Sequence, residues 1–242
     1  MPFTFSHPAI FLLLKKLPKK WFSLTGLIIG SIVPDFEYFL QMRISSVHSH
    51  TLLGVFWYNL PLAVILTFIF HLAVRNQLIN NLPIYFRNRL TIYLNFDWNQ
   101  FAKRHWLKII ISILIGIYSH LFWDSFTHFD GFFVHKTAFL SQKVSFWGFK
   151  IPIFKILQHS SSIVGAVLIA KFFHHLPMCS NNETKIKMPF WVLLIALTTI
   201  IFSFRFVLMP DLNQLGNLIV SMISSFLFSL ILASLIFNKI VH

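Results

Sequence analysis

Acidic side chains, cysteine and charge in general are scarce in this 242-residue chain. Only 11% of its residues are charged, where a soluble domain carries about a quarter. Apolar residues make up 56%, and the mean hydropathy is +0.72. That scarcity excludes an ordinary soluble globule, a disordered tail and a fibrous protein, and points to an integral membrane protein. The single cysteine, Cys179, excludes an internal disulfide and a Cys-rich metal cluster. The N-terminus does not read as a secretory signal, because Lys15, Lys16, Lys19 and Lys20 follow its short apolar stretch instead of preceding it. Also missing are a His-Glu-x-x-His zincin helix, a Gly-x-Ser-x-Gly elbow, a Walker loop and the paired histidine boxes of desaturases.

Long apolar runs, by contrast, are abundant. Crossing ~30 Å of hydrocarbon takes about 20 residues. Leu52–Val74, Leu107–Phe126, Pro189–Met209 and Leu215–Phe237 are long enough. A fifth run, Ile151–Phe173, carries Lys155, His159 and three serines in its first half, which suits a helix with one end facing protein or water. A sixth, Trp21–Leu40, is interrupted by Pro34-Asp35 and either spans or stops partway. Phe5–Leu14 is too short to cross, and reads as a half-span or interfacial helix. The expected fold is all-α: a polytopic transmembrane helical bundle of five to six spans plus that short N-terminal helix. Residues 1–175 form the expected membrane core, 176–188 a cytoplasmic hinge loop and 189–242 a C-terminal transmembrane helix pair.

Twenty Lys and Arg stand against seven Asp and Glu, for a net charge of +13. They sit in the gaps between apolar runs, whereas a nucleic-acid-binding protein gathers them on a soluble module. If every run crosses, one side holds Lys15, Lys16, Lys19, Lys20, Arg75, Arg87, Arg89, Lys103, Arg104, Lys185, Lys187 and Lys239. The other holds only Arg43, Lys136, Lys143 and Lys150. The positive-inside rule makes the richer side cytoplasmic, together with both termini. Asn76–His105, the longest inner connection, interleaves Phe, Tyr, Trp and Arg and reads as an amphipathic segment on the anionic inner leaflet. The expected partner is therefore the lipid bilayer and not a nucleic acid.

Acids and histidines concentrate in a few places. Asp35 and Glu37 lie in Pro34-Asp35-Phe36-Glu37-Tyr38, and His48-Ser49-His50-Thr51 follows. Ser119 to Gly131 contains His120, Asp124 and His128 at i, i+4 and i+8, one face of a helix, with Asp130 behind them. In the charge-derived topology all of these fall at the outer membrane boundary. Neutral imidazoles and carboxylates bind zinc or a similar divalent ion. A catalytic site keeps one position open for water, and a spare carboxylate or histidine serves as general base. Asp124 in an apolar helix is expensive and calls for a functional partner. His7 reaches this cluster only if its short helix re-enters the bilayer. His159 starts its span near the same outer face, and Arg205 lies one turn before the outer end of its own, placed to meet Asp211 or an anionic head group. Asp35 also reads as a simple turn or helix cap, and His71 as a hydrogen-bonded interior residue.

Met1-Pro2-Phe3-Thr4-Phe5-Ser6-His7-Pro8-Ala9, the Pro34–Tyr38 turn, His48-Ser49-His50, Ser119–His128 and Leu157-Gln158-His159-Ser160-Ser161 occur in order. On these motifs the chain resembles, from Met1 to about Ala170, an uncharacterised family of bacterial multi-pass membrane proteins, domain of unknown function number 4184. More loosely it is similar to membrane-bound metal-dependent hydrolases, themselves related in their motifs to zinc phospholipase C-like proteins. The resemblance implies a bacterial inner (plasma) membrane location and a metal site built from His7, Asp35, His48 or His50, His120 and Asp124. Ser49-His50-Thr51 stands where the hydrolase pattern has Thr-His-Ser, so both histidines remain candidates. The expected function is a divalent-metal hydrolase, zinc first among the cofactors, acting on a lipid-like ester or phosphoester near the outer leaflet. Asp124 or Asp35 would be the catalytic carboxylate, and Glu37, Asp130, His159 and Arg205 would support the site or its substrate. The competing expectation is a non-catalytic transporter or structural partner whose polar cluster binds an ion or packs helices together.

Overall fold

The structure is a computed structural model that describes residues 4–13, 21–146, 148–179, 188–208 and 215–241. In hydrocarbon every backbone N–H and C=O must find its partner within the protein, and a helix supplies those partners locally. The apolar runs accordingly fold as helices: α1 (Ala9–Leu13), α2 (Leu24–Ile32), α3 (Phe36–Gln41), α4 (Leu60–Ile69), α5 (Arg75–Asn81) and α6 (Ile84–Leu90). They continue with α7 (Trp98–Thr127), α8 (Phe132–Lys136), α9 (Ala138–Ser141), α10 (Ile153–His174), α11 (Met188–Leu208) and α12 (Leu215–Val241). Five helical segments are long and apolar enough to cross a membrane: Val55–Asn81, Trp98–Lys136, Ile153–His174, Met188–Leu208 and Leu215–Lys239. They correspond to the five uninterrupted runs. The first contains α4 and α5, with π-helical turns at Val55–Asn59 and Phe70–Val74.

The sixth run does not form one span. Ser23 caps α2 by accepting from Gly26 N (3.2 Å), and the helix ends nine residues later in a 3-10 turn, Val33–Asp35. Pro34 has no N–H to donate, so the chain tightens there before resuming as α3. At 1.5 Å per residue α2 is about 14 Å long, half of the hydrocarbon thickness. Most of the expected hinge, residues 180–187, lies outside the described residues.

The chain forms two compact units. One comprises Met1–Asp35, His48–Val64 and His105–His175; the other comprises Phe36–Val47, Ile65–Arg104 and Leu176–His242. In the first, α2 and α7 meet backbone to backbone. A Cβ on Gly26 would lie 2.9 Å from Ser112 Cβ, one on Gly30 would strike the Ile113 carbonyl, and one on Gly116 would press on Leu27 O and Ser31 N. Such small-residue spacing is how membrane helices approach closely. Ser23 N donates to Ser112 Oγ (2.8 Å), which itself donates to Lys108 O (2.7 Å), and Leu27, Ile113 and Ile117 fill the seam. α10 carries the N-terminal turn Thr4–Ser6: Gly165 lies against Ser6, whose hydroxyl donates to Ser162 O (3.0 Å).

After α7 the same unit holds α8, α9 and an antiparallel hairpin of β1 (Lys143–Phe146) and β2 (Phe149–Pro152), with Lys143 opposite Pro152 and Phe146 opposite Phe149. Four-residue strands carry too little alternation to read in the sequence. Gly148 supplies the positive φ (+82°) that the turn requires. Val134, Leu140 and Phe154 form a small core here, with Phe126 and Phe133 stacked 4.2 Å apart.

In the second unit α11 and α12 pack through Phe190, Leu194 and Ala233. Ser221, Ser224, Ser225, Ser229 and Ser234 of α12 are buried, while Ile219, Met222, Phe226 and Leu235 are exposed. The polar face is inside and the apolar face outside, as a lipid environment requires. Arg75 ties the 84–97 connection to α5: its guanidinium donates to Phe96 O (2.8 Å), Leu94 O (3.2 Å) and Asn76 Oδ1 (2.9 Å), and contacts His71 Nδ1 at 3.0 Å. His71 stacks on Trp98, ring centroids 4.1 Å apart, so it is an interior residue. Asp97 caps α7 by accepting from Gln100 N (2.9 Å), and the helix is broken at His105 (φ −131°, ψ 28°).

Replacing Gly30 tests the α2–α7 seam. Gly30→Val is expected to destabilise the protein by about 1–3 kcal/mol, the usual cost of overpacking, read as a lower unfolding midpoint in detergent. Gly148→Ala, whose added Cβ meets open space, is expected to lose only the about 1 kcal/mol of a left-handed alanine.

Candidate metal centre

Three stretches of the first unit converge on one point. Asp35 comes from the turn after α2, His50 from the loop before the π-helical turn, and His120 and Asp124 from α7. One ligand atom from each of these four residues lies within 4.8 Å of the others. His120 Nε2 is 3.6 Å from Asp35 Oδ1 and 3.1 Å from Asp124 Oδ2, and His50 Nε2 is 3.7 Å from both of those oxygens. His120 is fully buried, and Asp35 and Asp124 nearly so.

Local geometry explains each placement. One helical turn separates His120 from Asp124, so both point from the same face of α7. The helix ends at Thr127, and His128 closes it: its N–H donates to Asp124 O (3.0 Å), and its Nδ1 lies 3.2 Å from that carbonyl and 3.5 Å from Asp124 Oδ2. The His50 loop is folded tightly on itself. Gly54 N donates to Thr51 Oγ1 (3.0 Å), Thr51 Oγ1 donates to His48 O (2.8 Å), and a Cβ on Gly54 would strike the His48 carbonyl. Asn59 Nδ2 donates to Ser49 O (2.6 Å) and pins this loop to the helix that follows. His7 arrives from the N-terminal turn. Its ring stacks on His120 (centroids 4.0 Å, 23° between planes) and its Nε2 is 3.6 Å from Asp124 Oδ1.

The atoms turned away from the centre are held by hydrogen bonds. Thr4 Oγ1 donates to Asp35 Oδ2 (2.6 Å), leaving Oδ1 to face inward. His120 Nδ1 donates to Ser31 O (2.8 Å), a bond that requires the proton on Nδ1, so the neutral ring has its lone pair on Nε2. His50 Nδ1 is engaged with Ser49 Oγ (3.0 Å). Ligands oriented from behind in this way are what a metal site needs. His7, which lies outside the five spans, is held down to about 3, first by burial and then by the neighbouring His120, so its ring is neutral and able to coordinate.

The inner separations decide what the cluster is for. Distances of 3.6–3.7 Å are too long for hydrogen bonds. The 3.1 Å pair is close enough, but a neutral His120 with its proton on Nδ1 has no Nε2–H to donate to Asp124 Oδ2. Asp35 Oδ1, His120 Nε2 and both Asp124 oxygens are thus buried without a hydrogen-bond partner. Ligands bonded at 2.0–2.2 Å around a tetrahedral ion are separated by about 3.4 Å. The residues present therefore fit a divalent cation in both donor type and spacing.

The other sequence candidates lie elsewhere. His48 packs against Trp57 (4.8 Å between centroids) and Tyr58. Asp130 and His159 are exposed. Glu37 belongs to the second unit, where Oε1 accepts from Gln41 Nε2 (3.1 Å) and Val47 N (2.9 Å). Arg205, buried in that unit, donates to the carbonyl of Met42 (3.4 Å), which Ser221 Oγ also contacts (2.7 Å). Asp211 lies outside the described residues. Thr4, Ser49 and Asn59 support the site and were not singled out as site residues. Thr4 and Ser49 had a signal in lying within the motifs that carry His7 and His50, and Asn59 had none. Ser31 acts through its backbone carbonyl, which no side-chain pattern can announce.

Residues 1–235 match the family described as Domain of unknown function (DUF4184). No curated protein and no solved structure matches the chain.

Removing an orienting contact should weaken metal binding without abolishing it. Thr4→Val is expected to lower zinc affinity about 10–100-fold, measured by competition with a chromophoric chelator. Asp130→Asn, at an exposed position, is expected to leave that affinity unchanged.

Proposed function

The chain belongs to the DUF4184 family, and we propose that it is a membrane-embedded, divalent-metal-dependent hydrolase acting on a lipid-like ester or phosphoester. One observation carries this reading: carboxylates and imidazoles from three separate stretches sit 3.1–3.7 Å apart in a buried site, with Asp35 Oδ1, His120 Nε2 and both Asp124 oxygens left without a hydrogen-bond partner. Asp35 and Asp124 would supply carboxylate oxygens, and His50 and His120 imidazole nitrogens. A zinc-like cation bound there polarises an ester or phosphoester oxygen and lowers the pKa of water.

The protein's own residues define how a substrate reaches the site. His120 and Asp35 form the closed back of the centre. The His50 and His128 side chains, 25% and 27% exposed, form its open edge. Phe122, Phe129 and Phe132, close to His128 in the chain, are exposed and would offer apolar contact to an acyl chain. A substrate presented by the bilayer thus meets apolar rings first and the acid–imidazole cluster next. The excess of cations in the opposite set of loops supports placing this end at the outer leaflet of a bacterial plasma membrane, with both termini cytoplasmic.

The test uses detergent-purified protein reconstituted into liposomes. Wild type is expected to contain bound zinc and to hydrolyse a fluorogenic lipid phosphoester or ester, with activity removed by a chelator and restored by metal. Asp124→Asn and His120→Ala are expected to lose metal and to lower the rate on the order of a hundredfold or more. Metal-free wild type would overturn the reading. Bound metal without any hydrolysis would assign the centre to holding the helices together.

A further inference from the structure

The connection between α7 and α10 carries a surface that the metal centre does not use. It joins Trp98–Lys136 to Ile153–His174, two segments long and apolar enough to cross a membrane, which confines it to one bilayer surface. That surface is at the end of α7 that bears Asp124. The charge of the connection is of one sign. No Asp or Glu occurs between Asp130 and Glu183, while Lys136, Lys143, Lys150 and Lys155 fall in or beside it and are exposed. Lys136, Lys143 and Lys150 are also most of the few cations that the charge count assigns to the sparser side of the membrane.

The hairpin sorts its residues by face. Successive side chains of a strand alternate, and residues paired across an antiparallel ladder share a face. Lys143 pairs with Pro152 and Ser145 with Lys150, so Lys143, Ser145 and Lys150 share one face. Val144, its partner Ile151, and Phe149 fall on the other. That apolar face is open: Val144 is 44% exposed and Phe149 72%. The tip stands clear as well, since a Cβ on Gly148 would meet nothing within 4 Å. Phe129, Phe132 and Phe139 are exposed in the same connection. A two-stranded hairpin is at best marginally stable in water, and an open apolar patch rimmed by polar groups marks an interaction site.

We propose that the β1–β2 hairpin is an anionic-lipid site: its Val144–Phe149–Ile151 face seats in the acyl boundary of the bilayer, and Lys143 and Lys150 on the opposite face bind lipid phosphates. The occupant is the bilayer itself, because the adjoining helices hold the hairpin at its surface and the lysines complement phosphate in charge. Their long apolar stems let the ammonium groups reach the head groups while the other face stays in hydrocarbon. Lipids that carry a phosphate are thereby gathered at the end of α7 that bears Asp124. The surface is separate from the metal centre and stands whether or not that centre is hydrolytic.

Bromolipid quenching on the full chain in reconstituted vesicles tests both halves of this proposal. A bimane label is attached at Val144→Cys or at Ser145→Cys, each with Cys179→Ser so that the label has a single thiol to react with. In phosphatidylcholine brominated on its acyl chains, strong quenching is expected at the Val144 position and weak quenching at the Ser145 position. Equal quenching at the two positions would overturn the seated face. Quenching at neither would overturn it too, and assign the apolar face to a partner other than lipid. In equimolar phosphatidylglycerol and phosphatidylcholine, brominated one at a time, the phosphatidylglycerol is expected to quench the Val144 position more. Lys143→Gln/Lys150→Gln is expected to lower that preference at least about fivefold. Equal quenching by the two lipids, or a preference unchanged in the double variant, would overturn the phosphate site. All four substituted hairpin positions are exposed, so the fold is expected to tolerate the changes.

Discussion

The backbone contact between α2 and α7 is the constraint on which the centre depends. Gly26, Gly30 and Gly116 carry no Cβ, so the two helices approach until carbonyls of one face the backbone of the other. Only at that distance does the Ser31 carbonyl reach His120 Nδ1. That one bond sets the tautomer of a fully buried histidine and aims its second nitrogen at Asp35 and Asp124. A bulkier seam would move Ser31 away, release the ring and pull the Asp35 turn out of register with α7.

The first unit therefore spends its tightest packing on its most polar point. Buried charges without partners cost several kcal/mol each, and in hydrocarbon no water is at hand to relieve them. Yet Asp35 and Asp124 lie nearly side by side under a roof of imidazoles. Hydrogen bonds from Thr4, to Ser31 and with Ser49 hold the outer atoms of the cluster and leave the inner ones facing each other. This is an expensive arrangement for a helix-packing device and a sensible one for cation binding. Two buried serines of α12 in the second unit show a cheaper alternative: Ser224 and Ser225 each donate to a carbonyl one turn back.

How far the site could be read beforehand differs from residue to residue. His120 and Asp124 were legible because a helix of known period puts i and i+4 on one face. Asp35 was legible because an acid after a proline, inside an apolar run, is too costly to be idle. The choice between His48 and His50 was not. Both sit in a loop without a period, and the turn closed by Thr51 and Gly54 sends His50 toward the centre while His48 packs on Trp57. Glu37 is two residues from Asp35 and equally buried, but it falls in the other compact unit, beyond the 3-10 turn. Neither the π-helical turns nor the four-residue strands had a signature long enough to detect.

Composition and apolar run length alone determined that this is a helical membrane protein of five to six spans, because the hydrocarbon thickness sets a length that any spanning helix must meet; the break at Pro34 that leaves five long helices is a feature of the folded chain. The sequence also singled out the acids and histidines as the groups to follow, since charge in such a chain is costly. Tertiary structure alone decided which of them meet. His7, Asp35, His50 and Asp124 are separated by long stretches of chain, and their convergence depends on glycine contacts, a loop turn and a proline-broken helix. None of these projects beyond its own neighbourhood in the sequence.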